Sequence, residues 1–154
     1  MKPLVAIRCL VYNHEPYLRD CLDSFVMQKT NFHYVAIIHD DASTDNSAVI
    51  IREYAEKYPN IIIPIYEKVN QYSKFDGSLW KIMNDAIDNS GAKYIAECEG
   101  DDYWTDEYKL QKQVDILEAD ASLMFCCTDC SVVDNHSKLL LEKRGGVVKN
   151  DIQG

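Results

Sequence analysis

Apolar runs of strand length alternate along this chain with segments whose apolar residues recur at helical spacing. Leu4 to Val11 is mostly apolar, the pattern of a strand covered on both faces. Tyr12-Asn13-His14-Glu15-Pro16 interrupts it, and Pro16 suits the first turn of a helix. Tyr17, Leu18, Cys21, Leu22, Phe25 and Val26 then follow helical spacing, with Arg19, Asp20 and Asp23 on the opposite face. Tyr34 to His39 predicts a second buried strand that stops at Asp40-Asp41. Ser43-Thr44-Asp45 supplies capping side chains for a helix carrying Val49, Ile50, Tyr54 and Ala55, which ends before Pro59. Ile61 to Tyr66 is a third strand, and Pro64 places it near an edge or at a bulge. Glu67 to Gly77 is polar and irregular and reads as a mobile loop. A helix from Ser78 through Leu79, Ile82, Met83 and Ala86 stops near Gly91, and Tyr94 to Cys98 predicts a short buried strand. Beyond it the pattern predicts a helix from about Asp106 with Leu110, Val114 and Leu117 inward, and a buried strand over Leu123 to Thr128. A hairpin follows, pairing 132–134 with 138–141 around Asn135-His136-Ser137.

Strand and helix alternate from the start, which predicts a mostly parallel α/β sheet with helices on both faces and right-handed crossovers. Ligands bind outside the carboxyl ends of the strands in such sheets. Three polar segments fall there: Tyr12 to Glu15, Asp40-Asp41, and Glu99-Gly100-Asp101-Asp102. Their coincidence points to one acidic cleft. Carboxylates that close repel one another, and a hard divalent cation removes the cost. Magnesium is commonly held by one or two carboxylates plus substrate phosphates.

Composition narrows the classes. The 154 residues suffice for one domain with a proper core. A formal net charge of -9, with no basic stripe, argues against nucleic-acid binding. An acidic protein acting on a phosphate-bearing substrate needs a cation between the two. No apolar run approaches the length of a membrane span, and the N-terminus lacks the pattern of a signal peptide. The six cysteines read as reduced and partly buried. Cys127 and Cys130 have C-x-x-C spacing, but no second pair completes a zinc site.

Several chemistries drop out. Tyr12 to Glu15 contains no glycine, so a dinucleotide-binding turn is excluded, and the P-loop pattern is absent. A phosphatase would want aspartates at the end of the first strand, and a serine hydrolase needs a glycine-flanked serine elbow. Metal-assisted transfer from a diphosphate-activated substrate remains.

Three pieces in order match a known family: Val11-Tyr12-Asn13 with Glu15 and Tyr17-Leu18; Asp40-Asp41-Ala42-Ser43-Thr44-Asp45; and Glu99-Gly100-Asp101-Asp102-Tyr103-Trp104 running into Lys109-Leu110 and Gln113. Over about residues 3 to 130 the chain resembles the N-terminal, nucleotide-sugar-binding half of the family 2 glycosyltransferases, which have the GT-A fold. The resemblance implies that Leu10, Tyr12 and Glu15 line the nucleotide pocket, with Tyr12 packing on the base. It implies that Asp41 holds the base or ribose with Asp40 beside it. Glu99 and Asp101 occupy the two ends of the family's metal-binding D-x-D motif, with Glu in place of the first Asp. Asp101 is then the direct ligand of Mg2+ or Mn2+, Glu99 a ribose or water-mediated contact, and Gly100 and Asp102 shape the pocket. Asp45 reads as a helix cap, His14 and His39 as polar fillers, and Lys109 and Gln113 as a solvated helix face.

A nucleoside diphosphate sugar is the implied donor, with a UDP-sugar favoured, and a glycan or lipid-linked molecule the implied acceptor, as in cell-envelope polysaccharide synthesis. The implied catalytic base lies beyond residue 154. Residues 1–141 are expected to form the donor-binding domain, and 142–154 a polar tail leading to an acceptor half absent from this chain. The expected location is the cytoplasm, at the inner face of the membrane for a full-length protein. The competing class is a non-catalytic module that binds a nucleotide sugar without turning it over. A nucleotidyltransferase-like domain is weaker, because its glycine- and lysine-rich N-terminal loop is missing.

Overall fold

The structure is a computed structural model that describes residues 2–134 and 138–141. A first compact unit extends to Lys112 and a second begins at Gln113. The first holds β1 (Val5–Val11), α1 (Glu15–Val26), β2 (Tyr34–Asp40), α2 (Ser47–Lys57), β3 (Ile62–Tyr66), α3 (Ser78–Ser90) and β4 (Tyr94–Glu97). The strands form one sheet in the order β3-β2-β1-β4, and every pairing is parallel. This is the alternating architecture the hydrophobic pattern predicts.

The two faces of the sheet follow from strand alternation. On β1, Ala6 joins Val35, Ile37, Met83 and Ile87 in a core beneath α3, and Leu10 packs against that cluster. Arg8 lies on the same face; it is the one charged residue in the apolar run Leu4 to Val11. It ion-pairs with Glu97 of β4, reaches Asn84 Oδ1 at 3.3 Å, and stacks over the Trp80 ring at 5.3 Å. Val5, Ile7, Cys9 and Val11 point the other way, and Cys9 touches Cys21 of α1. Helix α1 buries Leu18, Cys21, Leu22 and Phe25, and Tyr54 of α2 donates its hydroxyl to Asp23 Oδ1 at 2.7 Å. Within α2, Ile51 rather than Val49 turns inward.

β2 is buried along its whole length, as its apolar run demands. β3 sits at the sheet edge, where Pro64 costs no ladder hydrogen bond. The expectation of a buried strand at Tyr94 to Cys98 needs correction. Among the described residues β4 pairs only with β1, and Ile95 is 50% exposed. A short apolar run reads alike for a central strand and an edge strand; only the partner count separates them.

Helix α4 runs Lys109–Ala119, starting three residues after the expected point because Asp106 Oδ1 first accepts the Tyr108 N–H in a turn. Leu110 and Val114 are buried, as expected. In the second unit Leu123 to Thr128 is not a strand: the segment has no regular structure, Met124 is 92% exposed and Phe125 74%. Apolar content makes a strand only where a neighbouring edge satisfies the backbone, and no described strand pairs with it. Cys127 and Cys130 are exposed, and all six cysteines are free thiols. β5 (Val132–Val133) and β6 (Leu139–Leu141) pair antiparallel, as the hairpin pattern predicts. The expected turn at Asn135-His136-Ser137 and the tail 142–154 lie outside the described residues.

One buried side chain ties α1 to the segment beyond β4. Gln28 donates its amide to the carbonyls of Ser24 (3.1 Å) and Asp106 (2.9 Å), and its Oε1 accepts the Leu110 N–H (3.1 Å). Gln28→Met keeps the volume and leaves those groups unpaired. It should cost about 2–4 kcal/mol in urea unfolding; a change below about 0.5 kcal/mol would show that the tie is dispensable.

Candidate functional site

The site grows from the end of β1. The Val11 carbonyl accepts the Asp41 N–H at 2.9 Å, and the Leu10 carbonyl accepts the Gly100 N–H at 3.0 Å. Two successive peptide groups of the central strand therefore anchor the two acidic turns, one from each neighbouring strand. The three segments expected at the carboxyl edge do converge.

Past Val11 the chain reverses through Asn13, whose φ of 57° is left-handed. Asn13 Oδ1 accepts the Thr44 N–H at 2.8 Å, and the Asn13 N–H goes to Ser43 Oγ at 2.9 Å. Ala42 across from it is also left-handed at 61°, a conformation that favours glycine. Asp45 Oδ1 accepts the Ser47 N–H and so caps α2 from just outside it, while Oδ2 accepts the Glu15 N–H at 3.0 Å. Glu15 answers with both oxygens, taking the Asn46 N–H at 3.0 Å and the Asn46 amide at 2.7 Å. The structure thus places Glu15 in a clamp between the starts of α1 and α2. Leu10, through its side chain, belongs to the core under α3.

Asp41 organises the loop after β3. Its side chain is 4% exposed, and its two oxygens accept the N–H groups of Gln71 (2.6 Å) and Tyr72 (3.0 Å). Asn70 Nδ2 donates to the Asp41 carbonyl, and Asn70 Oδ1 accepts the Ser73 N–H. The segment expected to be mobile is therefore tied down, because a buried carboxylate needs donors and the loop backbone supplies them. A cavity of about 420 Å³ opens here, lined by Tyr12, Asp41, Asn70, Tyr72 and Ser73. Sequence reasoning placed Tyr12 and Asp41 at a pocket and missed the other three. Amides and hydroxyls crowded into a loop just past a strand end were the available signal.

Asp40 is 2% exposed, and its Oδ1 has no hydrogen-bond partner. Burial pushes its carboxyl above the ordinary range, opposed by hydrogen bonds from Ser43. His39 is fully buried and bonds through neither ring nitrogen; Glu67 Oε1 lies 3.6 Å from its Nε2.

On the other side of β1, Glu99, Asp101 and Asp102 are exposed, and the Asp102 N–H closes the turn on the Glu99 carbonyl at 3.1 Å. Gly100 has no left-handed φ. Its service is close approach: an added Cβ would lie 2.7 Å from His14 Nδ1 and 2.9 Å from Val11 Cγ2. His14 is thus more than a filler. It packs directly on the acidic turn, and its buried Nδ1 has no protein partner. Partial desolvation, then Asp101, hold Asp102 above the usual aspartate range, while His14 pulls the other way. Trp104 packs on Phe25 with ring centroids 5.0 Å apart. Lys109 lies 4.3 Å over the Trp104 ring rather than on a purely solvated face.

No group of three or more metal-ligating side chains occurs among the described residues, so a closed protein cage is not present. Glu99 and Asp101 have exposed carboxylates with no hydrogen bond or ion pair to described residues. Hard oxygen donors in that number suit a magnesium or manganese ion that completes its shell with phosphate and water.

The chain matches Glycosyl transferase family 2 over residues 9–144 and belongs to that family. It is 40% identical over 122 residues to an uncharacterized protein of Mycobacterium tuberculosis, covering 79% of this chain and 34% of the relative. It is 35% identical over 102 residues to a poly(ribitol-phosphate) beta-glucosyltransferase of Bacillus spizizenii, covering 64% of this chain and 15% of that one. Among solved structures, TarS residues 1–349 of S. aureus in complex with UDP superposes with a TM-score of 0.58 at 21% identity, over 75% of this chain and 32% of that one. The mannosyltransferase PcManGT of Pyrobaculum calidifontis, in complex with GDP-Man and Mn2+, gives 0.60 at 21% identity, over 76% and 33%. These likenesses show the GT-A architecture. The chain spans about a third of the length of the mycobacterial relative.

Two outcomes follow from the geometry. Gly100→Ala forces its Cβ against His14 and Val11 and should cost about 1–3 kcal/mol in denaturant unfolding; parental stability would mean that the cradle is slack. Asp40→Asn removes a carboxyl whose native pKa lies above its unfolded value. That group's contribution to stability falls as pH rises from the ordinary value of 3.8 through the raised one. The variant should match its parent near pH 3 and exceed it in thermal stability at pH 7; equal curves at both would contradict the burial cost.

Proposed function

We propose that this chain is the donor-binding part of a metal-dependent, inverting glycosyltransferase that uses a nucleoside diphosphate sugar, with UDP the favoured nucleotide. The observation that carries the proposal is the pair of backbone hydrogen bonds from Asp41 and Gly100 to adjacent carbonyls of β1, which sets a pocket-lining carboxylate beside two partner-free ones. Tyr12, 46% exposed on the cavity wall, offers its ring to the base. Asp40 retains an unpartnered oxygen that a base N–H or a ribose hydroxyl would satisfy. Asp41 acts through the loop it holds, presenting Asn70, Tyr72 and Ser73 to the nucleotide. Asp101 is assigned to the cation directly and Glu99 to a ribose or water-mediated contact, while Gly100 and Asp102 shape the site between them. A bound divalent cation would neutralise the diphosphate and the charge that develops on it as the leaving group departs. Glu15, held by Asn46, supports the pocket from behind rather than lining it.

In the full-length protein the sugar passes with inversion to a glycan or lipid-linked acceptor. The Bacillus relative, a poly(ribitol-phosphate) beta-glucosyltransferase, supports an acceptor of the cell-envelope kind. No helix among the described residues is long and apolar enough to cross a membrane. The competing reading, a module that binds nucleotide without transfer, predicts the same binding and no donor hydrolysis.

Calorimetric titration of UDP with manganese, then with EDTA, tests the donor site. Binding should require the metal and weaken by tenfold or more, about 1.4 kcal/mol, in Asp101→Ala. No heat with UDP, GDP or dTDP in either buffer would overturn the proposal. Release of free sugar from the donor would then decide between enzyme and module.

A further inference from the structure

Beneath the acidic turn lie three buried thiols that the donor-site chemistry does not use: Cys9 on β1, Cys21 on α1 and Cys98 just past β4. Cys21 is in contact with both of the others. Two of the thiols reach the turn itself. Cys21 Sγ donates to the Glu99 carbonyl at 3.4 Å, and Cys98 Sγ donates to the Asp102 carbonyl at 3.7 Å. Those carbonyls are the first and last of the four-residue turn that carries the acidic side chains. Among the described residues, the other backbone bonds that hold the same four peptides are the Gly100 N–H bond to Leu10 and the turn's own closing bond.

We infer that Cys21 and Cys98 are positioning residues: their S–H groups fix the Glu99 to Asp102 backbone from below and so set the direction of the exposed carboxylates. Part of this inference, the consequence for ligand affinity, rests on the donor-site reading; the effect on the turn does not. A purely apolar filler could occupy the same space without orienting either carbonyl. The Cys21 bond spans from α1 to the turn, so it also couples the turn to the helix that Gln28 and Phe25 connect to the following segment.

Serine and alanine separate positioning from packing. Serine keeps a hydroxyl donor and is a poor apolar filler; alanine loses the donor and keeps the apolar character. Hydrogen exchange read by mass spectrometry on the ligand-free protein is the primary measurement, with Cys21→Ala, Cys21→Ser, Cys98→Ala and Cys98→Ser beside the parent. The alanine variants should speed exchange in the peptide covering residues 98–104 by about three- to tenfold, the range of one lost hydrogen bond. Exchange over β2 should stay unchanged, and the serine variants should return to within about twofold of the parent. Manganese-dependent UDP affinity should fall and recover in the same order. Parental exchange in the alanine variants, acceleration spread over the whole sheet, or serine no better than alanine would each overturn the inference. Should an alanine variant fail to fold, its serine partner decides: parental exchange upholds positioning, and accelerated exchange at the turn overturns it. If the parent binds no UDP, the donor-site reading fails while the exchange result still stands.

Discussion

The end of β1 is the constraint on which the site depends. A parallel strand leaves its last carbonyls without ladder partners once the neighbouring strands turn away. Here those carbonyls are claimed by Asp41 on one side and Gly100 on the other. Satisfying two backbone acceptors brings two carboxylate-bearing turns together, so the electrostatic strain of the site is sustained by the same bonds that end the sheet. The cost is visible at Asp40, buried with a free oxygen and a carboxyl pushed upward by that burial. A group in that condition weakens the empty protein and gains most when a donor N–H or O–H arrives.

Around this point the side chains divide by what holds them. Asp41, Asp45 and Asn13 spend their oxygens on backbone N–H groups, and Glu15 divides its two between the Asn46 N–H and side-chain amide, fixing loops and helix starts. Glu99 and Asp101 spend theirs on nothing in the described structure. An acidic residue in these turns is thus a brace, or keeps its oxygens open, according to whether a donor lies within its short reach. Net charge alone does not distinguish the two.

Much of this arrangement was legible in the sequence. β1 and β2 declared themselves by mostly apolar runs, β3 by a proline that fits an edge or a bulge, and the acidic turns by their position after strands. The tie between Glu15 and Asn46 was not legible, because the two residues are distant in sequence. The loop at Asn70 to Ser73 read as mobile because local composition cannot show that a buried carboxylate from another strand gathers its amides. Leu123 to Thr128 read as a strand because apolar content reports the wish to be covered, and pairing depends on a neighbour. The role of Gly100 was not legible either: its φ is not left-handed, and the crowding that would meet a side chain there comes from His14 and Val11.

The left-handed residues at Asn13 and Ala42 face each other across the Ser43 and Thr44 bonds. Their consequence is a narrow evolutionary corridor. At such angles glycine is free of strain, asparagine and aspartate are tolerated, and every β-branched residue is penalised. Asn13 must also keep a side-chain carbonyl for Thr44, so drift there is confined almost to one residue. Ala42 has no such duty and can give way to glycine, asparagine or aspartate, which makes the two positions unequal in what they can accept.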